Sequence, residues 1–157
     1  MDEREAERRI HGLIYDYAHC IDDDRLEAWP DFFVEDCFYQ IISRADYEQR
    51  LPAGTATCRS RGMMVDRVVS LRNANIYEPH VYRHLISAIR LRGEQDGIWT
   101  VQTGYAVIRT MQEGDVSIFS TGVYRDKIVF MDEGPLFKER LVIFDSRRIH
   151  TLLVIPI

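Results

Sequence analysis

The stretch "VYRHLISAIRLRGEQDGIWTVQTGYAVIRTMQEGDVSIFSTGVYRDKIVFMDEGPLFKERLVIF", residues 81–144, decides the fold. It holds four long runs rich in β-branched and aromatic residues: Val81 to Glu94, Ile98 to Met111, Val116 to Phe130 and Leu136 to Phe144. "QDG", "QEGD" and "DEGP" separate them, and short glycine-containing connections of this type join antiparallel neighbours. An antiparallel meander is therefore expected. The runs exceed the usual five or six residues of a strand. Several are apolar on both faces. In the second, Trp99, Val101, Tyr105, Val107 and Met111 share one parity, and Ile98, Ala106 and Ile108 share the other. Such a sheet needs cover on both sides, and a second subunit is the simplest cover for one of them. Gly104 and Gly122 lie inside strand patterns, where glycine marks a bulge or a sharp bend.

Working outward, the N-terminal third reads helical. Ile10, Leu13, Ile14, Tyr17, Ala18 and Ile21 form one apolar stripe at helical spacing. Asp24 and Glu27 have the spacing of an N-cap and its capping-box partner, opening a short helix with Leu26, Trp29, Phe32 and Phe33 on its apolar face. Pro30 should distort or shorten it. "CFYQIIS" (37–43) reads as a strand, residues 45–60 as loop, and "RGMMVDRVVSLRNA" (61–74) as a helix burying Met63, Met64, Val68 and Leu71. The final run, "TLLVIPI" (151–157), is expected to add an edge strand, where Pro156 is tolerable. Helices first and a meander after them predict an α+β domain spanning residues 1–157, with helices on one face of a curved sheet.

The chain's 157 residues suit a single core. A formal net charge of −5 argues against a nucleic-acid partner, which calls for a dominant basic face. No apolar run approaches a membrane span, and the charged start "MDEREAERRI" is unlike a signal peptide. Cys20, Cys37 and Cys58 are odd in number and widely spaced, as expected of reduced, buried thiols in a cytoplasmic protein.

"YEPHVYRH", residues 77–84, carries the local chemistry. His80 and His84 share a face, but a zinc or non-haem iron site needs at least three protein ligands, and Pro79 separates Glu78 from the pair. A pocket enzyme is the other chemical reading: His84 with Tyr82, Tyr39 or Asp36 could carry protons in a cone-shaped cavity. Asp22, Asp23 and Asp24 lack the ligand pattern of a calcium loop and read as capping and solvated residues. Arg83, Arg109 and Arg125 sit in otherwise apolar strands and need carboxylate or carbonyl partners, in this chain or another.

Five segments together carry a family resemblance: "LEAWPDFFVEDCFYQI", "DRVVSLRNANIYEPHVYRHLIS", "YAVIRTMQEGDVSIFSTGVYRDKIV", "LFKERLVIFDS" and the ending "LLVIPI". The chain resembles the small (beta) subunits of aromatic-ring-hydroxylating dioxygenases. "ANIYEPHVYRH" and the Pro-Ile ending are most similar to the terephthalate dioxygenase and salicylate 5-hydroxylase small subunits. The resemblance implies the cone-like α+β fold of nuclear transport factor 2 (NTF2-like). It also implies a structural, non-catalytic role beside a large alpha subunit, in an α3β3 complex built on a homotrimer of the small chain. The Rieske [2Fe–2S] cluster and mononuclear iron are then expected in the alpha subunit, with no cofactor here, and electrons arriving from a reductase or ferredoxin. Tyr77, His80, Arg83, His84 and Arg125 become expected subunit contacts. The competing expectation is a free-standing isomerase or dehydratase of the same fold using His84 with Tyr82 or Asp36.

Overall fold

The computed structural model describes residues 1–52, 54–73, 77–147, 153 and 155–157. Helix α1 runs Glu3–Asp22 and is started by Asp2, whose carboxylate accepts the Glu5 backbone N–H at 2.8 Å. It buries Ile10, Leu13, Ile14, Tyr17, Ala18 and Ile21, the stripe its spacing predicted. A 3-10 segment, Leu26–Phe32, follows with Pro30 inside it. Strand β1 is Phe33–Ser43, α2 is Arg44–Glu48, β2 is Ala56–Cys58 and α3 is Arg61–Asn73. The long strands are β3, His80–Gln95; β4, Ile98–Met111; β5, Val116–Met131; and β6, Gly134–Phe144.

The six strands form one sheet in the order β2-β1-β6-β5-β4-β3. The meander β3 to β6 is antiparallel, as its turns require. β1 pairs with β6 in parallel, so the sheet is mixed rather than wholly antiparallel. A meander supplies only antiparallel neighbours, and the long crossover from β1 through α3 to β3 is what permits the parallel pair. The sheet edges are β2 and β3. The expected edge strand at 151–157 is not formed at Leu153 or Ile155 to Ile157, and residues 151, 152 and 154 lie outside the described residues. Instead Ile157 is fully buried.

Other local readings also shift. Residues 45–60 contain most of α2 and all of β2. Asp24 and Glu27 do not cap a helix: Asp24 has φ 58, and both carboxylates bind the Arg72 guanidinium of α3 at 2.8–3.2 Å. Met64, Val68 and Leu71 are buried, but Met63 is 44% exposed.

Register shifts bend the sheet around the helices. They fall between Ser87 and Arg90, between Leu91 and Gly93, between Val107 and Ile108, and between Lys127 and Ile128. Gly122 sits beside these bends in a regular register, and its role is close approach. A Cβ there would lie 2.0 Å from the Ile143 carbonyl oxygen.

The core lies between α1, the 3-10 segment and the sheet's concave face. Its large side chains include Tyr17, Trp29, Tyr39, Tyr124, Phe137 and Arg140, each with no exposed surface. Arg140 of β6 forms a two-point ion pair with Asp126 of β5, Nε to Oδ1 at 2.8 Å and Nη2 to Oδ2 at 2.7 Å. Its guanidinium lies 4.0 to 4.3 Å from the ring centroids of Tyr124, Phe137 and Tyr17. Burial pushes the Asp126 carboxyl above its ordinary value, and the Arg140 charge pulls it back.

Two substitution sets test this packing. Gly122→Ala is expected to destabilise the fold by about 1–3 kcal/mol because backbone must move, whereas Gly12→Ala in α1, with open space at its Cβ, is expected to stabilise it by about 0.5–1 kcal/mol. Urea midpoints at constant slope read both. Asp126→Asn leaves a buried guanidinium uncompensated and is expected to cost about 3–5 kcal/mol. The double variant Asp126→Leu/Arg140→Met should recover most of that loss in the same assay.

Candidate functional site

The chemistry-bearing residues of residues 77–84 converge on the start of β3, the edge strand facing α1. His84 is the centre. Its side chain is fully buried, and its Nδ1 lies 2.6 Å from Asp22 Oδ1. The His84 backbone N–H donates to Asp22 Oδ2 at 2.8 Å. One carboxylate at the end of α1 thus holds both the ring and the strand. This also satisfies a backbone donor on the sheet's open edge, where β4 offers no acceptor. The expected partners of His84, Tyr39 and Asp36, are not the ones found: Tyr39 bonds Ile157, and Asp36 lies exposed on β1. Asp22 was legible only as a helix-end acid, because the 62-residue separation hides the contact.

The far nitrogen, His84 Nε2, is buried without a hydrogen-bond partner, and so is the Tyr82 hydroxyl. Tyr82 stacks on Phe119 at 5.2 Å and meets the His84 ring edge-on at 6.4 Å. Burial raises the Tyr82 phenol well above its ordinary value, so it holds its proton. An acid–base dyad needs its free nitrogen within reach of a substrate proton. Here that nitrogen is shut off from solvent. A groove of about 280 Å³ between α1 and β3 is lined by Tyr15, His19, Asp22, Arg83, His84 and Leu85, but the His84 side chain has no exposed surface.

The deeper interior is also filled. The Tyr39 hydroxyl donates to the Ile157 oxygen at 2.8 Å, Tyr17 donates to the same oxygen at 3.1 Å, and the Trp29 indole N–H donates to the Tyr17 hydroxyl at 3.2 Å. Burial pushes the phenols of Tyr17, Tyr39 and Tyr124 above their usual range. Three buried tyrosines, an indole and Ile157 are therefore packed together inside the cone.

The other expected residues are divided. Arg83 and Arg125 are exposed on the outer, convex face of the sheet. Arg125 lies 5.7 Å from the Tyr47 ring of α2. Tyr77 and His80 are half-buried at the mouth of β3, with ring centroids 5.5 Å apart and His80 Nδ1 bonded to the Glu78 carbonyl at 2.8 Å. His80 and His84 do not meet at a common point, since each ring has its own partner. Among the described residues no three His, Cys, Asp or Glu side chains come together as metal ligands. All three cysteines are free and buried; Cys37 points at the Met64 sulfur, 3.6 Å away, and burial pushes its thiol up to about 11. Neutral thiols facing the core do not fit an iron–sulfur cluster, which needs thiolates or paired histidines.

Comparison with known proteins places this arrangement. The SnoaL-like domain model matches residues 2–140. The anthranilate 1,2-dioxygenase small subunit of Burkholderia cepacia is 40% identical over 148 residues, covering 94% of this chain and 92% of that one. A terephthalate 1,2-dioxygenase terminal oxygenase component, subunit beta 2, from Comamonas is 35% identical over 141 residues, covering 90% and 92%. A crystal structure described as the beta subunit of an aromatic-ring-hydroxylating dioxygenase from Novosphingobium aromaticivorans superposes with a TM-score of 0.89 at 39% identity, over 98% of each chain. With its SnoaL-like, NTF2-like fold, the chain belongs to the small subunits of aromatic-ring-hydroxylating dioxygenases.

Proposed function

We propose that this chain, acting as one domain over residues 1–157, is the non-catalytic structural subunit of a cytoplasmic oxygenase that hydroxylates an aromatic carboxylate. The observation that carries the reading is the packed interior: Tyr17, Trp29, Tyr39, Tyr124 and Phe137 have no exposed surface. A protein whose interior is closed acts through its outside. The substrate class follows the two relatives, whose names give anthranilate and terephthalate, both ring-bearing acids. The Rieske cluster and mononuclear iron then sit in the large alpha subunit, which receives electrons from a reductase or ferredoxin. The complex is an α3β3 assembly with three copies of this chain at its base.

Tyr77, His80, Arg83 and Arg125 are the contact residues of this reading. His84 supports the contact surface by locking β3 to α1 through Asp22. No helix of the described residues is long and apolar enough to cross a membrane.

The Asp22–His84 geometry favours one rival, a free-standing isomerase or dehydratase, because a carboxylate-held histidine is a usable base wherever its second nitrogen is accessible. Two measurements separate the readings. Co-expressed with a large subunit that carries Rieske ligands, the tagged chain is expected to retain it through size-exclusion chromatography at the α3β3 mass. Failure to retain it removes the structural reading. His84→Ala is expected to lower the midpoint of thermal unfolding by several degrees, since a buried ion-dipole contact worth about 1–3 kcal/mol is lost. Hydroxylation per assembled complex should stay within twofold. A hundredfold loss of turnover in an intact complex would instead give His84 a chemical role.

A further inference from the structure

A register shift in β3 aims one arginine at a particular place on the sheet. Leu91 pairs with Val101 and Gly93 with Thr100, so Arg92 between them is the extra residue of a bulge. Gly93 takes φ 143, a backbone conformation that a side chain would strain, and so permits the kink. Arg92 there donates to the Gln102 side-chain oxygen at 3.2 Å. Gln102 stands in register with Arg125 of β5, and Arg125 with Leu141 of β6. Thr100, Lys127 and Glu139 form the next row on the same face. Tyr47 of α2 stands beside them, its ring centroid 5.7 Å from the Arg125 guanidinium. These groups line one concavity of about 270 Å³, whose wall also includes Val101.

Positive charge is left over in this concavity. Lys127 meets Glu139 at 3.7 Å, so that carboxylate is answered. Asp126 is committed to Arg140 in the interior. Arg92 is answered by a neutral amide and Arg125 by an aromatic ring, and among the described residues neither forms an ion pair. This is not for want of carboxylates, since the chain has 25 acidic residues against 20 basic ones. Guanidinium groups recognise a carboxylate through paired N–H donors. The Gln102 amide, with its oxygen taken by Arg92, offers its NH2 group as a further donor, and Thr100 brings a hydroxyl. An inorganic anion would use these donors and leave the rest of the wall idle. Tyr47, Val101 and Leu141 offer apolar surface to a flat body attached to the charge. The volume suits a single ring, because pockets for larger, drug-sized ligands run from about 300 to 1,000 Å³.

We infer that this concavity binds a small aromatic carboxylate, with the carboxylate held by Arg92 and Arg125 and the ring against Tyr47. The inference goes beyond the structural role proposed above and needs only the folded chain. Arg92 and Tyr47 are outside the contact residues named for assembly, so they test the site without testing that reading. The test titrates benzoate calorimetrically into the purified chain, with benzamide as the uncharged analogue and acetate as the ringless one. The expected result is benzoate binding in the millimolar range or tighter, with benzamide and acetate each at least tenfold weaker. Arg92→Gln is expected to weaken benzoate by about tenfold, the loss that removing a charge-assisted hydrogen bond predicts. Tyr47→Ala is expected to weaken it severalfold. Both positions are exposed, and circular dichroism checks that the variants stay folded. Should either variant unfold, benzamide and acetate read the same two contacts in the wild type. Absence of benzoate binding overturns the inference. So does benzoate binding that is equal in the wild type and a folded Arg92→Gln variant, or benzamide binding as tight as benzoate. Acetate binding as tightly as benzoate overturns the aromatic assignment.

Discussion

Arg140 has no exposed surface, yet its charge persists at any physiological pH, so the cone must answer it from within. Asp126 does so with two hydrogen bonds, and three aromatic rings close over the guanidinium. The consequence spreads through the layers. Tyr17 ties this cluster to α1, Tyr124 and Asp126 tie it to β5, and Phe137 belongs to the same strand as the arginine. An ion pair taken out of water is a weak source of net stability, because desolvation offsets much of the Coulomb gain. Its strength is in fixing geometry: Asp126 must face Arg140, so the β5–β6 register cannot slip by a residue without stranding a buried charge.

The same cluster shows how tightly the interior is packed among the described residues. Tyr17 not only stacks on Arg140 but also donates to Ile157 and accepts from Trp29. Tyr39 bonds the same Ile157 oxygen. Each phenol is pushed up by burial, so these groups act as neutral hydrogen-bond partners and not as acids. The Tyr105 and Tyr124 rings, stacked at 4.6 Å, complete the filling. Aromatic pairs of this sort contribute about 0.5–1.5 kcal/mol each beyond their buried area, so the closed interior is itself a source of stability.

Much of the architecture was legible in the sequence because it depends on local patterns. Residues 81–144 alternate over long runs between glycine-bearing turns, and the turns dictate antiparallel neighbours. The α1 stripe is equally local. What stayed hidden depends on contacts across the chain. Nothing near Phe33 to Ser43 says that this strand pairs in parallel with β6. Asp24 and Glu27 have capping spacing, but Arg72, far along the chain, claims both. Ile157 reads as part of a strand, yet two tyrosine hydroxyls capture it as a plug. At the candidate site, His84 was legible as a residue in need of a partner, while its partner Asp22 and the buried Arg140 were not. The carboxylate of Asp22 looks solvated by its neighbours in sequence, and only folding brings it to β3.

The pairing of Asp22 with His84 shows how one arrangement can serve different ends. A carboxylate orients an imidazole and fixes its tautomer, as a general base requires. The same two bonds also secure the open edge of a 16-residue strand to the helix beside it. Which role prevails depends on the space around Nε2. In this chain Nε2 is buried without a partner, and the two bonds to Asp22 hold β3 beside α1. That strand carries Val81, Arg83 and Leu85 on its outer side, so a contact made inside the molecule sets the position of residues displayed outside it. Closing the interior and organising the surface are two effects of the same packing.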